Sequence, residues 1–305
     1  MIDLSTLRAL EAVDQFGSVV AAADELGFTP SAISQQIKRL ERQTGVELLE
    51  RVGRGVVLSG PGRLLVAEGA VIAAQLERLE SDLHAHAGEA VGEFDLLGFS
   101  TAMRGLIGPV VADLTTKHPD LRIQLTELEP WDAVERVATG QGDVALVHRW
   151  GDVVLQIPDH LERRVVHHDE AEVILPAGHR LIGRKHVTPA DLVEERWIAT
   201  PEGTICRQWL SRMYAGTGGL PRIEHVSMEF ESHLALVAAG LGIALIPRLG
   251  RGPLPEGTSA VRVREPVPSR QTIAIWRRSQ DSSPAVRAVV EALVAAGQVS
   301  VKVRP

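Results

Sequence analysis

The sequence predicts an α/β protein made of three parts: a small helical domain that ends in a hairpin, one long helix, and a large region of two similar lobes. Three patterns predict it: short amphipathic helices separated by glycines, then a heptad repeat, then a helix–strand order that recurs about a hundred residues further on. We place the three parts at residues 1–59, 60–88 and 89–305.

Length and composition restrict the class of protein. The 305 residues are 45% hydrophobic and 23% charged, which suits two or three ordinary domains and excludes disorder of the whole chain. No apolar run reaches the roughly 18 residues of a membrane span. The start lacks the pattern of a secretory signal, and a lone cysteine, Cys206, leaves no internal disulfide. We therefore expect a cytoplasmic protein with no membrane partner.

The net charge of −7 would argue against a nucleic-acid binder, but the charges are segregated. Residues 1–28 sum to −4, whereas residues 29–63 sum to +3. The remaining acidity lies further along the chain. Segregation of charge, rather than its total, is the quantity that bears on DNA binding.

The first 59 residues show three helices and a hairpin. Gly17 and Gly27 interrupt the helical apolar spacing. Thr29 and Pro30 then favour a third helix, because threonine caps a helix and proline fits its first position. Gly45 ends that helix, and short apolar runs on both sides of a glycine turn predict a hairpin. Two helices joined by a short glycine turn and followed by a hairpin are typical of a winged helix-turn-helix.

A three-helix bundle with another function would have the same core, so the outward side chains must discriminate. The polar face of the third helix contains no acid and is formed by Ser31, Ser34, Gln35 and Lys38. These side chains suit base edges and phosphates. The alternative for the two serines is that they only satisfy backbone donors of the first turn.

The long helix is predicted from about Ser59 to Ala87. Apolar residues and one histidine repeat every seven positions, at Leu65, Ile72, Leu79 and His86. This is a coiled-coil seam, which needs a partner helix. A partner within the chain is the alternative, but no second helix of comparable length is predicted, so we expect a homodimer through this helix.

The C-terminal region contains the same order of elements twice: helix, strand, helix, glycine turn and buried strand. The first helix ends at His118 and the equivalent one near Gly219, and the buried strands are residues 144–147 and 243–246. Strands that alternate with helices predict a mainly parallel sheet in each lobe, with ligands bound beyond the carboxyl ends of the strands. We assign residues 93–163 and 267–305 to lobe I and 164–266 to lobe II.

Several stretches show a family resemblance that covers nearly the whole chain. They are residues 21–41 (AAADELGFTPSAISQQIKRLE), 45–51 (GVELLER), 58–59 (LS), 140–143 (GQGD), 187–192 (VTPADL) and 236–247 (LVAAGLGIALIP). In these stretches the sequence resembles the LysR-type transcriptional regulators. It departs at Leu49, Val52 and Pro61, which affect packing rather than the positions that face DNA.

The resemblance implies a winged helix-turn-helix, a dimerising linker helix and a two-lobed effector domain like that of periplasmic binding proteins. It further implies a homotetramer whose bending of promoter DNA changes when an effector occupies the cleft. Residue by residue, it places Thr29, Pro30, Ser31, Ser34, Gln35 and Lys38 in the major groove. Arg51 and Arg54 fall on the wing, where an arginine can enter a narrow A·T-rich minor groove.

Positions that end the strands of each lobe should line the cleft. These ligand-binding candidates are Ser100, Thr101, Trp131, His148, Arg149, Thr200, Gly203, Thr204 and Phe230. Hydroxyls at helix N-termini favour an anionic group, and Arg149 would supply charge, so we expect a small carboxylate. Its apolar part would contact Trp131 and Phe230. The alternatives are that Trp131 packs between the lobes and that Arg149 pairs with Asp152 or Glu231.

Neither a metal nor a cofactor is expected. The eleven histidines show neither an i, i+4 helical pair nor Cys–His spacing. Cys206 lies near the position where peroxide-sensing members of the family have a reactive cysteine, and Arg207 beside it would lower its pKa. It lacks a resolving cysteine and is about one residue out of register, so packing is the alternative.

We expect a DNA-binding, ligand-responsive transcription regulator without enzymatic activity, whose partners are double-stranded promoter DNA, a small-molecule effector and itself. The motifs of an enzyme on a two-lobed fold, such as a nucleophile elbow or a phosphate loop, are missing from the sequence. Two alternatives remain. One is a chromosome-architectural or replication-control protein of the same family, and the other is a redox sensor that acts through Cys206.

Overall fold

The computed structural model describes residues 2–53 and 55–302, with side chains as far as Gln298. The chain forms two compact units that divide between Glu80 and Ser81. The first unit contains α1 (Leu4–Phe16), α2 (Val19–Leu26), α3 (Pro30–Thr44), β1 (Leu49–Val52), β2 (Gly55–Leu58) and the larger part of α4 (Gly60–Ala87). Among the described residues, no helix is long and apolar enough to cross a membrane.

The second unit holds the remaining elements. Its strands are β3 (Gly92–Gly98), β4 (Leu121–Glu127), β5 (Val144–Trp150), β6 (Leu161–Leu175), β7 (His186–Val187), β8 (Arg196–Ala199), β9 (Arg222–Val226), β10 (Ile243–Pro247), β11 (Ser259–Val263) and β12 (Ser269–Arg277). Its helices are α5 (Ser100–Ala102), α6 (Gly108–Lys117), α7 (Pro130–Ala138), α8 (Ile205–Met213), α9 (Phe230–Ala238) and α10 (Pro284–Lys302). A π-helical turn, Met103–Ile107, joins α5 to α6.

Side-chain caps start the helices of the first unit where the sequence predicts them. The Ser18 hydroxyl accepts a hydrogen bond from the Ala21 N–H at 3.1 Å, and the Thr29 hydroxyl accepts one from the Ala32 N–H at 3.2 Å. Both satisfy donors that a helix start leaves free. Gly45 ends α3 with a φ of 73°, a left-handed conformation that glycine adopts without strain.

The core of the first unit is small and apolar. Leu10, Ile33, Leu40 and Leu48 are completely or almost completely buried there, between the three helices and the hairpin. Strands β1 and β2 pair antiparallel, with Leu49 opposite Leu58. Burial of one face of α3 leaves its opposite face in solvent.

The second unit is built on ten strands that form two sheet regions joined through β6. In lobe I the order is β4, β3, β5, β12 and β6, with β3 parallel to β4 and β5. In lobe II, β10, β8 and β9 are parallel to one another, and β11 pairs with the other edge of β6. This confirms the expected α/β architecture of two similar lobes.

Two long strands determine how the lobes join. Strand β6 pairs with β12 from Leu161 to Glu170, and its last residues then pair with β10 and β11. The expected lobe boundary at residue 163 therefore falls inside a continuous strand, and the lobe I sheet extends about seven residues beyond it, to Glu170. An apolar cluster that contains Trp150, Val173 and Trp209 runs through both lobes.

Two predicted element ends differ from the structure. Strand β5 does not end at Val147 but continues to Trp150, because its last residues also pair with β12. Helix α8 ends at Met213 rather than near Gly219. The chain turns there because Gly216 and Gly218 adopt positive φ angles of 87° and 74°, which a helix cannot contain.

Candidate DNA-binding surface and effector site

The outward face of α3 is polar and accessible. Ser31, Gln35 and Lys38 are exposed and Ser34 is half-buried, while Ile33 and Ile37 on the opposite face are buried. Thr29 and Pro30, which open the helix, are also exposed. The hydroxyl of Thr29 itself satisfies a first-turn backbone donor. All six residues predicted on α3 therefore lie at its start or on its exposed side.

The wing is the two-stranded hairpin. Arg51 lies on β1 opposite Val56, and its side chain is exposed. Arg54, the second wing residue predicted to contact DNA, lies outside the described residues. Arg51 is thus a cation that a phosphate or the minor groove can reach.

Helix α4 presents an apolar stripe to solvent. Ile72, Leu76, Leu79 and Leu83 are 49%, 41%, 55% and 62% exposed. Ile72 and Leu79 belong to the predicted seam, and Leu76 and Leu83 lie on the interleaved positions of the same helix. Side chains of this size gain about 1.5–3 kcal/mol each when fully buried, so covering the stripe with another apolar helix would be favourable.

At the junction of the two lobes lies a buried ion pair. Nε and Nη2 of Arg270, on β12, donate to Oδ2 of Asp169, on β6, at 3.1 and 3.0 Å. Nη2 also donates to the Thr101 hydroxyl at 2.8 Å. Both oxygens of Asp169 accept from the Leu249 N–H, which follows β10. One carboxylate therefore connects lobe I with a segment that leads out of lobe II.

Aromatic rings surround the Arg270 guanidinium. Its central carbon lies 5.2 Å from the centre of the Phe99 ring and 5.6 Å from that of Trp150, within cation–π range. The Phe99 ring meets the His148 ring edge-on at 4.5 Å. Burial, and secondarily the charge of Arg270, lowers the pKa of His148 well below its ordinary value, so this ring is neutral at neutral pH.

Polar atoms without partners accumulate on this face of the sheet. Among the described residues, Nη1 of Arg270, Nδ1 of His148 and Oγ1 of Thr272 are buried and have no hydrogen-bond partner. Thr272 lies opposite His148, and Arg270 lies opposite Trp150 in the same pair of strands. Buried polar groups in proteins are normally satisfied, so such a row indicates a place for water or a ligand.

A small cavity adjoins this cluster. Its volume is about 20 Å³, a little more than the roughly 10–15 Å³ that one water needs. The cavity is lined by Trp150, Ile198, Ala199, Thr200, Cys206, Leu210, Phe230, His233 and Leu245. Thr200 and Thr204 share a hydrogen bond of 2.7 Å, and Thr204 caps α8.

Charged side chains bridge the two lobes beside this cluster. Arg104 of lobe I donates to Glu229 of lobe II at 3.3 Å and lies 3.9 Å from Glu231. Burial, followed by the charge of Glu229, raises the pKa of Glu127. Burial, followed by neighbouring carboxylates, likewise raises the pKa of Glu129. The lobes therefore meet here through acids and one arginine.

The structure brings some of the predicted ligand residues together and separates others. Thr101 and His148 lie beside Arg270, and Thr200 and Phe230 line the cavity. Thr204 joins them through Thr200. Ser100 opens α5 and is half-buried, and Gly203 lies in the exposed turn before α8 with a φ of 88°.

Arg149 and Trp131 lie elsewhere. Because β5 continues to Trp150, Arg149 points to the face opposite His148, is exposed, and donates to Oε1 of Gln271 at 2.7 Å. The expected partners Asp152 and Glu231 bind Arg212 and Arg104 instead. Trp131, in the first turn of α7, packs against the apolar cluster that runs through both lobes and lines a surface groove with residues 156–159.

Cys206 is not an activated thiol. Burial raises the pKa of its thiol to about 12, and the expected lowering by Arg207 is absent, since the arginine that acts on it is Arg270. A thiol needs a lowered pKa to react as a thiolate at neutral pH. The environment of Cys206 therefore favours packing over redox sensing.

Sequence reasoning missed the central residues of the cluster: Phe99, Trp150, Asp169, Arg270 and Thr272. Asp169 and Arg270 are 101 positions apart. Neither strand singles out these two residues, because β6 also contains Glu162, Arg163, Arg164, Glu170 and Glu172, and β12 also contains Arg277. Nothing local couples two such residues. Within the described part of the chain, no group of three or more acidic, histidine or cysteine side chains could hold a metal ion.

Two family models together match most of the chain. The model described as "Bacterial regulatory helix-turn-helix protein, lysR family" matches residues 4–63, and the "LysR substrate binding domain" matches residues 87–298. The two matches coincide with the winged helix-turn-helix and with the two lobes.

Two curated regulators match about three quarters of this chain. The HTH-type transcriptional regulator ShiR of Corynebacterium glutamicum is 32% identical over 232 residues, which are 73% of this chain and 75% of ShiR. The small neutral protease regulatory protein of Streptomyces coelicolor is 32% identical over 243 residues, 78% of this chain and 71% of that protein.

Solved structures establish the fold. Full-length OxyR from Pseudomonas aeruginosa matches with a TM-score of 0.69 at 18% identity, covering 98% of this chain and 95% of OxyR. Full-length BenM matches with a TM-score of 0.61 at 22% identity, covering 100% and 99%. CbnR, solved in complex with its target DNA, gives a TM-score of 0.55 at 21% identity, covering 97% and 100%.

These matches confirm the resemblance inferred from the sequence motifs. Regulators of this family bind promoter DNA, take small-molecule effectors through the C-terminal domain and form oligomers, and they are not enzymes. Since the two family models together cover well over half of the 305 residues, this chain belongs to the LysR family of transcription regulators.

Proposed function

We propose that this regulator recognises its promoter through α3 and the wing and responds to a small carboxylate between its two lobes. The DNA contacts would come from Thr29, Pro30, Ser31, Ser34, Gln35 and Lys38 in the major groove, with Arg51 and Arg54 at the minor groove. What supports this is an exposed α3 face that carries donors and no acid. A glutamine can bind adenine with two hydrogen bonds, which gives sequence choice.

The effector proposal depends mainly on one observation. Thr200, Cys206 and Phe230 line one cavity at the start of α8 and α9, beside an arginine that is completely buried. Helix N-termini and guanidinium groups both attract carboxylates. We propose that the effector lies here, near Thr101, His148, Thr200, Thr204 and Phe230. The remaining candidates, Ser100, Trp131, Arg149 and Gly203, stay peripheral to this cluster.

We further propose that the regulator works in the cytoplasm as a homotetramer built from dimers that pair through α4. The exposed apolar stripe of α4 supports the dimer. Effector binding would shift the population of lobe arrangements and hence the bend of the bound DNA.

A binding experiment tests both halves of the proposal. Fluorescence anisotropy would compare the full chain on the intergenic duplex beside its own gene and on a random duplex, over a range of salt concentrations. We expect tighter binding to the intergenic duplex at every salt concentration, and a change when acetate or benzoate is added. Equal affinity for both duplexes would instead support the chromosome-architectural alternative. Indifference to every acid would remove the carboxylate part.

A further inference from the structure

We propose that Arg270 binds the effector's carboxylate through its free Nη1 group, and that the effector is a short monocarboxylate. This inference rests on the proposed function, in which a small carboxylate binds between the lobes. It replaces Arg149, the arginine that the sequence indicated, with one that only the tertiary structure brings to the cleft.

One donor group of Arg270 is unused. A guanidinium has five N–H groups in a fixed planar arrangement. Nε and Nη2 of Arg270 are engaged by Asp169 and Thr101, whereas Nη1 is buried and has no partner among the described residues. An unsatisfied buried donor costs roughly 1–3 kcal/mol. An acceptor that arrives at Nη1 would recover that cost.

This donor points away from the ion pair and lies near both lobes. Asp169 binds the edge of the guanidinium that Nε and Nη2 form. Nη1 is not part of that edge and lies away from the ion pair. The charge of Arg270 acts on His148 of lobe I and on Cys206 of lobe II. Trp150, whose ring lies 5.6 Å from the guanidinium carbon, also lines the cavity with Cys206. Arg270 therefore lies where the two lobes meet.

The charge and the size of the site favour a small ligand with one negative charge. Asp169 already neutralises Arg270 and His148 is neutral, so an incoming carboxylate would be stabilised by the N–H groups of Nη1 and by the N-terminus of α8, while the neighbouring carboxylates of Glu129 and Glu229 oppose a second negative charge. Arg149, the arginine that the sequence indicated, lies on the opposite face, and Arg104 is already paired with Glu229. A single carboxylate fits this balance and a dicarboxylate does not. Because the cavity of about 20 Å³ holds little more than one water, a carboxylate must displace the surrounding side chains, and a short one displaces them least.

The competing explanation is that Arg270 only ties β12 to β6. Thermal unfolding of the full chain distinguishes this structural role from ligand binding. The unfolding midpoint would be measured with sodium formate, sodium acetate, sodium succinate or acetamide added at constant ionic strength. We would compare the unmodified chain with Arg270→Lys and Arg149→Ala. Lysine keeps a positive charge for Asp169 but lacks the planar fork and its second edge.

We expect formate or acetate to raise the unfolding midpoint of the unmodified chain and of Arg149→Ala, with little effect from succinate or acetamide. Binding of the same monocarboxylate to Arg270→Lys should be at least about tenfold weaker, which corresponds to about 1.4 kcal/mol. If Arg270→Lys binds the monocarboxylate as tightly as the unmodified chain and Arg149→Ala does not bind it, Arg270 does not hold the carboxylate. The proposed response to a carboxylate would then still stand. If no carboxylate stabilises the unmodified chain, both proposals fail.

A second measurement does not depend on the stability of the lysine variant. A crystal structure of the unmodified chain grown with acetate should show the carboxylate within hydrogen-bond distance of Nη1 of Arg270. Acetate bound at another place between the lobes would refute the anchor while supporting the proposed function.

Discussion

Arg270 and Asp169 form an ion pair in which both side chains are 0% exposed, although 101 positions separate them in the chain. The pair connects two neighbouring strands at the point where β6 passes from one lobe to the other. Each desolvated charge also has one hydrogen-bond partner outside the pair: the Leu249 N–H donates to Asp169, and Arg270 donates to the Thr101 hydroxyl.

Replacing Asp169 by asparagine should strongly destabilise the second unit. The substitution leaves the buried guanidinium without a countercharge, which costs about 3–5 kcal/mol. Urea unfolding followed by tryptophan fluorescence measures this directly, since all five tryptophans lie beyond residue 80. Asp113→Asn is the matched control, because Asp113 pairs with Lys117 on the surface, with side chains 55% and 63% exposed. Its effect should stay below about 1 kcal/mol; similar losses in both variants would contradict the prediction.

Replacing Gln35 by alanine should reduce specificity rather than general affinity. Loss of a two-bond contact to a base costs about 1–3 kcal/mol on the cognate duplex and little on random DNA. Anisotropy titrations on both duplexes give the ratio of the affinity for the cognate duplex to the affinity for random DNA. Gln43→Ala is the control, since Gln43 is an exposed glutamine in the last turn of the same helix. An equal loss on both duplexes would show that Gln35 does not read a base.

Charges on the α4 stripe should reduce the size of the assembly. In the double variant Ile72→Asp, Leu79→Asp, two side chains that are 49% and 55% exposed become charged, which opposes burial against a second helix. Sedimentation equilibrium should then report a smaller species than the unmodified chain forms. Ala74→Asp introduces the same charge away from the seam and should leave the assembly unchanged. Retention of the full assembly by the double variant would exclude α4 as the interface.

Glu129 should make the stability of the second unit depend on pH. Burial raises the pKa of its carboxyl, and so the stabilisation from the protonated form is fully present below the ordinary pKa and is lost as the pH rises through the raised value. Glu129→Gln should therefore raise the unfolding temperature at neutral pH. It should also make the unfolding temperature vary less with pH in the mildly acidic range. Each kcal/mol gained in the free energy of unfolding raises the unfolding temperature by roughly 2–4 °C for a unit of this size.

The control for Glu129 is Glu291→Gln, an exposed position on α10. It should leave the pH dependence as it is. An unchanged profile in Glu129→Gln would mean that this carboxyl is ionised in the folded chain without a cost.

The Cys206 thiol should resist alkylation in the folded chain. With its pKa raised to about 12 by burial, the thiolate population is roughly a thousandfold below that of a free cysteine. Mass spectrometry after iodoacetamide treatment at neutral pH should find slow modification of the native chain and fast modification of the urea-unfolded chain. Rapid labelling of the native chain would revive the redox-sensor alternative.

The order and type of the elements were accessible from the sequence. Helix starts at Ser18 and Thr29 and the helix end at Gly45 follow from local hydrogen bonding and local backbone freedom. Predictions were less accurate where an end depends on distant strands. Strand β5 extends to Trp150 because β12, more than a hundred residues later, pairs with it along its whole length.

The same limit applies to the candidate effector site. Hydroxyl residues after strands, such as Thr101 and Thr200, were predicted because the direction of parallel strands places their carboxyl ends together. Arg149 was chosen for its charge, but the alternation of a strand turns it away from His148.

The sequence alone therefore determined the family, the two-lobed α/β architecture and the exposed polar side of α3, since hydrophobic periodicity, caps and motifs are all local properties. Only the tertiary structure decided which charges are buried together. Asp169 and Arg270 meet because two long strands cross between the lobes side by side, and desolvation then determines which atoms stay satisfied and which, like Nη1, remain free for a ligand.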